Sequence, residues 1–389
     1  MKRSLIITIG ILIILAIMGL WGYLMIYGAP KETQEVFANL GFISKPTQEV
    51  RVIDPEIQGK IVDQLGLTGS NLQQITLRAV ASFSFVASSS DRLRYVERGT
   101  GHVFEINLTT GKEDQVSLTT VPKVSETVLS PSGTAVAFTV YDGYNKKVSI
   151  GSINPSDTAI TLKSVPLNAE NIAFIDEKNI YFTVAGASNT NGYSFNIDTG
   201  KWLQIFTVPI TESIVTWGKG YEKITLLTKP AAGHEGYMYT ISSNALNPLA
   251  QKGYGLTALI GEDTTLLSTQ EGGIYITDAV SRTTIRQPIV MLKEKCVFDT
   301  QTPTATWCAL PVGDIKSTYL EDWYKGAITS NDYLWYTELN SQRAMLVGDL
   351  PKLAGKTVDV TNMTINDTGT ILLFKNKPDQ TLWMYKIER

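Results

Sequence analysis

The chain has 389 residues, a net charge of −3, a pI near 5.6 and 18% charged residues, with Lys and Arg scattered along it. Those values exclude wholesale disorder and a polybasic nucleic-acid footprint. A hydrophobic share of 43% suffices for one large repeat domain or for two or three ordinary ones.

From Leu5 to Tyr27 the chain runs 23 residues without a charge, about 34 Å as a helix and enough to cross a bilayer with some tilt. Lys2 and Arg3 precede it, and Trp21, Tyr23 and Tyr27 crowd its far end. The positive-inside rule makes 1–4 a cytoplasmic tail and 5–27 a single-pass transmembrane helix. The remaining ~360 residues then lie outside the cytoplasm, in a periplasm or at a cell surface. A cleaved signal peptide is the competing reading. Against it, the apolar run is long and Pro30 follows Gly28-Ala29 directly.

Residues 28–71 read as a stalk, with Pro30, Pro46 and Pro55 set among polar residues. Within it Ile57, Ile61, Val62 and Leu65 have helical spacing and predict one short amphipathic helix.

From 72 to 389 the pattern changes to short alternating apolar runs divided by Gly, Asn, Asp and Ser. Asn107-Leu-Thr-Thr-Gly-Lys112 returns as Asn196-Ile-Asp-Thr-Gly-Lys201, 89 positions later and two repeat periods away. Self-similarity at about 42 to 45 residues predicts an all-β, seven-bladed β-propeller with four strands per blade. The repeats fall at about 81–118, 124–164, 168–207, 211–249, 254–288, 293–348 and 357–388. The last lacks a fourth strand, and Leu72 to Leu77 is placed to supply it and close the ring. Six or eight blades stay open at this point, because the sixth repeat carries an insertion, Tyr319-Leu-Glu-Asp-Trp-Tyr-Lys-Gly326.

Cys296 and Cys308 stand twelve positions apart in that sixth repeat. Neighbouring strands would bring them within bridging range, and an extracytoplasmic compartment permits a disulfide. Two buried free thiols are the alternative. His102 and His234 are remote, so no metal site is expected.

The Ser130-Pro-Ser-Gly133 turn before an apolar strand resembles the turn of WD-repeat and TolB-type propellers. Gly101-His102 is placed differently from the Gly-His of WD repeats, and no Trp-Asp pair ends a blade. Residues 94–106, 306–311 and 322–326 are closer to single-anchor bacterial β-propeller proteins, a likeness running over 1–388. That resemblance implies fold and anchoring and carries no activity.

Two groups of residues are candidate binding positions. Asp322, Trp323, Tyr324 and Lys325 lie in the insertion, outside the strand pattern, where aromatic and charged neighbours suit a contact patch. The competing reading folds Trp323 and Tyr324 back over the disulfide. Arg94, Arg98 and His102, with Glu97, cluster on the first repeat, either for an anionic ligand or as an ion network with Glu97 or Glu105. His102 reads most simply as a turn residue. No Gly-x-Ser-x-Gly elbow, phosphate loop or calcium loop appears, so no catalytic residue, cofactor or metal is expected.

The expected function is a non-catalytic binding or scaffolding module in a cell-envelope assembly, with a protein partner and glycan as the other ligand class. Two alternatives stand beside it. One is a glycan hydrolase or lyase using paired acids such as Glu262 with Asp263, or Asp314, Glu321 and Asp322. The other is a ligand sensor that needs a membrane partner.

Overall fold

Alternating apolar residues between Gly, Asn and Asp turns favour strands. The computed structural model shows 28 of them among the described residues. These are 71–388 apart from 87–88, 144, 155–158, 166–167, 219–223, 232, 243, 262–264, 271–272, 279–283, 288–291, 314–317 and 342. All belong to one compact unit, Arg51–Arg389. The anchor expected at 5–27 and the stalk with its short helix lie outside them. No helix among the described residues is long and apolar enough to cross a membrane.

The strands form seven four-stranded antiparallel sheets. Sheets one to six each use four consecutive strands, at 80–117, 124–164, 170–208, 213–254, 257–287 and 296–349. Sheet seven takes three strands from 360–386 and its fourth, Leu72–Gln74, from ahead of sheet one. Leu72 pairs with Tyr385, Gln73 with Met384 and Gln74 with Trp383. The chain is thus an all-β propeller whose two ends share one sheet.

Packing between sheets closes the ring. One apolar cluster lies between each neighbouring pair, including Val80, Leu93 and Tyr95 of sheet one against Leu373, Leu382 and Met384 of sheet seven. Cys296 and Cys308 of sheet six meet Leu259 of sheet five, while Leu227 and Met238 of sheet four meet Leu256 and Ala258 at sheet five. An open row of sheets would leave its end faces bare; here the first and last cover each other. Phe138, Phe182 and Phe374 occupy equivalent second-strand positions and are fully buried, each contributing roughly 1.5–3 kcal/mol.

Local chemistry sets the turns. Asn107 Oδ1 accepts from the backbone of Thr109 and Thr110, at 3.0 and 2.8 Å. Asn196 Oδ1 accepts from Thr199 N at 2.9 Å. Gly111 and Gly200 then take φ of +70° and +68°, a conformation that favours glycine. The first strands of sheets one, two, three and seven each shift register near their start, at 80/82, 124/126, 170/173 and 361/364. Such bulges bend a strand and re-aim its side chains. First strands lie beside one another from sheet one to sheet four and again from six to seven, which places these bulges along the ring's inner wall.

Candidate functional site

The insertion in sheet six separates its second and third strands. One short helix, Tyr319–Tyr324, occupies it and ends at Gly326, with φ of +73°. Trp323 points inward and is 3% exposed. Its Nε1 donates to Asp359 Oδ1 at 2.8 Å and Oδ2 at 3.0 Å. The Lys377 ammonium stands 3.9 Å from the ring centroid, and the Lys295 ammonium 5.0 Å away. Trp323 therefore packs, as one of the two sequence readings had it, but over a buried ion cluster instead of the disulfide.

That cluster joins three segments. Lys295 comes from the helical turn Lys293–Lys295, Asp332 opens a sheet-six strand, and Asp359 directly precedes sheet seven. Lys295 Nζ donates to Asp332 Oδ2 at 2.5 Å, Asp359 Oδ1 at 2.6 Å and Ser330 Oγ at 2.9 Å. Lys295, Asp332 and Asp359 are fully buried. Val360 N donates to Asp332 at 2.7 Å, and Asn376 Oδ1 accepts from Asp359 N at 2.9 Å. Burial pulls the Lys295 ammonium down, but Asp332, Tyr319 and Asp359 outweigh it and hold the group above its ordinary range. Burial pushes the Asp332 carboxyl up against the pull of Lys295. A lysine kept charged in this way is an anchor and a poor nucleophile.

Over the cluster lies an open groove of about 690 Å³, lined by Tyr319, Asp322, Ser330, Tyr333, Asp349 and Lys352 among others. The floor is fixed: Tyr319 OH donates to Ser330 Oγ at 3.3 Å, and Ser330 Oγ stands 2.8 Å from Asp332 Oδ1. Burial pushes the Tyr319 hydroxyl up to about 12, so it is a hydrogen-bonding phenol at neutral pH. Asp349 Oδ1 accepts from Lys352 N at 3.0 Å, capping the helix Leu350–Ala354 on the opposite side. Of the insertion residues singled out in the sequence, Asp322 lines this groove and Trp323 supports it from below. Tyr324 is exposed and donates to Glu294 Oε2 at 2.8 Å, while Lys325 pairs with Glu321 at 3.2 Å.

The first-repeat residues divide three ways. Arg94 is 4% exposed; its Nε donates to Glu105 at 2.8 Å and its Nη1 to Gly133 O at 2.7 Å. It holds the Ser130–Gly133 turn of sheet two. Glu105 also pairs with Arg92, not with Arg98. Arg98 lies past the end of strand Arg92–Glu97, so strand alternation does not place it with Arg94. Its Nη1 donates to Gln380 Oε1 at 3.1 Å, linking sheet one to sheet seven. His102 sits in the turn, its Nε2 3.0 Å from Thr120 Oγ1. The structure does not gather these three into one site.

Cys296 and Cys308 are directly opposite in neighbouring strands, Cα atoms 4.2 Å apart, and form a disulfide. A bridge over so short a loop contributes roughly 2–3 kcal/mol. Glu262, Asp263 and Asp314 lie outside the described residues. No group of three or more metal-ligating side chains occurs among the described residues.

The sequence reading missed Lys295, Asp332 and Asp359. Their one visible signal was a charge beside each of three apolar strand starts, which is also what ordinary turn residues look like.

No protein-family model and no curated protein matches the chain. Among solved structures it is similar to a chain of a mitotic checkpoint complex, with a TM-score of 0.54 over 82% of this chain and 91% of that one, at 8% identity. The likeness is one of fold.

Proposed function

We propose that the chain is a protein-binding propeller, held at the membrane by the apolar segment at 5–27 and displayed outside the cytoplasm as a non-catalytic module of an envelope assembly. The observation that carries the binding reading is the insertion groove. It is built by the element that interrupts the strand order, and it combines two tyrosines, hydroxyls and charges on a floor locked by buried ion pairs. A pre-organised floor lowers the entropic cost of docking, and tyrosine supplies large contact area with few rotamers to freeze. Propellers occur in assemblies, as in the checkpoint complex above, and the single-anchor bacterial propellers resembled by 94–106 and 322–326 fit the same architecture.

The test places a photo-crosslinking amino acid at Asp322 of the full chain in intact cells, with Thr110 on a hairpin tip as control. A reproducible neighbour from position 322 and not from 110 is expected. No neighbour at 322, or the same set from both positions, overturns the groove as the docking site. Resistance of the chain to alkaline extraction, with external protease digesting all but a small N-terminal fragment, is the result expected for the anchor and its orientation.

A further inference from the structure

The inner wall of the ring holds a second cavity, of about 390 Å³, between sheets two, three and four. Register explains its lining. Glu126 pairs with Thr139 in sheet two, Glu170 with Thr183 in sheet three and Ser213 with Thr228 in sheet four. These are equivalent positions on three successive first strands, so Glu126, Glu170 and Ser213 present one polar tier. Val128, Ile172 and Ile214 supply an apolar wall beside it.

The charges in this tier are not balanced pair by pair. Lys146 stands 3.6 Å from Glu126, and Lys229 lies 2.5 Å from Glu212. The Glu170 carboxylate forms no hydrogen bond or ion pair with any described residue. Its neighbour Asn171 has φ of +47° within the bulge of that strand, a conformation that costs energy and persists only where surroundings fix it. They do fix it here. Asn171 O accepts from Trp217 Nε1 at 2.6 Å, and its Nδ2 donates to Thr183 Oγ1 at 2.8 Å and to Ser213 O at 3.3 Å. A strained bulge bolted across two sheets thus sets the backbone beside a carboxylate that feels the charge of Lys229 but has no hydrogen-bonded partner among the described residues, in a cavity of ligand size.

We propose that this cavity binds an alkylammonium or alkylguanidinium group, its charged head on Glu170 and its aliphatic stem along Val128, Ile172 and Ile214. A cation with an apolar stem satisfies both surfaces at once. A bare metal ion would leave the apolar wall unused. Lys146 and Lys229 also line the cavity but are held by Glu126 and Glu212, so an anion would meet no uncommitted cation there. The head group comes either from a free amine or from a lysine or arginine side chain of a partner.

Titration calorimetry on the full chain separates these sources. The probes are 1,5-diaminopentane and the capped peptide acetyl-Gly-Lys-Gly-amide, with pentanol and the norleucine peptide as uncharged controls. Saturable binding of at least one charged probe and of neither control is expected. Glu170→Gln should weaken that binding about tenfold or more, and the remote Glu338→Gln should leave it within about twofold. Tighter binding of the peptide assigns the site to a partner's side chain; tighter binding of the diamine assigns it to a free amine. No saturation by either charged probe, equal binding of the controls, or undiminished binding by a folded Glu170→Gln chain overturns the proposal. If that variant melts earlier than the wild type, Ile214→Asn provides the check, since loss of the stem contact must also weaken the charged probes.

Discussion

Lys295 Nζ lies 2.6 Å from Asp359 Oδ1, so a residue ahead of sheet six is bonded to the residue that leads into sheet seven. The pair is fully buried, and Asp332 completes it at 2.5 Å. Buried ion pairs give modest net stability but are costly to break, because the partner left behind stays charged in a dry site. Lys295→Met should therefore lose roughly 3–5 kcal/mol. Changing Asp332 and Asp359 to Asn in the same chain should recover much of that loss. Urea midpoints of the full chain provide the measurement. A single Lys295→Met chain within about 1 kcal/mol of wild type would show that water already reaches the cluster.

What the sequence made legible follows from periodicity. Repeat boundaries read at 81–118 and 124–164 correspond to sheets at 80–117 and 124–164, because each repeat carries its own turn residues and apolar alternation. The closing strand was legible for the same reason: the last repeat holds three strands of the pattern, and Leu72–Gln74 pairs as the fourth. The site was legible only in part. Asp322 was found because it falls where the period breaks. Lys295, Asp332 and Asp359 were not, since contact between segments up to 64 positions apart leaves no local pattern. Arg94 was noticed as a charge and its burial was not foreseen. Glu105 faces it across sheet one, but its second partner, the Gly133 carbonyl, meets it only once sheets one and two are packed together.

Closure of the ring depends on a hydroxyl as well as on strand pairing. Thr76 Oγ1 accepts from Leu382 N at 3.0 Å and donates to Arg78 O at 3.0 Å, in a position only 5% exposed. Valine has the same shape without the acceptor, so Thr76→Val leaves the Leu382 amide unsatisfied at a cost of about 1–3 kcal/mol. The loss should appear as a lower urea midpoint and as faster hydrogen exchange at 382–386. Exchange at 382–386 no faster than in wild type would mean the joint is held by Leu72–Gln74 alone.

Glu177 grips the neighbouring sheet. Its carboxylate accepts from Ser132 N at 2.9 Å and from Ser130 and Thr134 hydroxyls at 2.5 Å, all in the turn of sheet two. Burial raises its pKa, but these hydrogen bonds outweigh burial and hold the group below the usual 4.5. A depressed carboxylate contributes stability that is present above its unfolded value and is lost as pH falls through the folded one. The stability difference between wild type and Glu177→Gln should be constant from pH 5 to 8 and shrink below about pH 4.5. Denaturant titrations of both chains across that range measure it. A gap that widens on acidification would contradict the hydrogen-bond assignment.

Lys375 has the opposite linkage. It stands where Thr139 and Thr183 stand in sheets two and three, immediately after the buried Phe374, so its position is one the other sheets give to a small side chain. Burial, with the Arg98 guanidinium nearby, pushes its ammonium from 10.5 down to about 8. Between those two values the unfolded chain binds a proton that the folded chain does not, so this lysine makes stability rise with pH from about 8 to 10.5. Below that window its penalty is constant, and above it the penalty is gone. Lys375→Met should accordingly be more stable than wild type at pH 7 and should lose that advantage by about pH 10.5. Comparing the two chains at each pH cancels the titration of the remaining lysines and tyrosines. An advantage that persists unchanged to pH 10.5 would mean that it does not come from the charge of a buried ammonium beside Arg98.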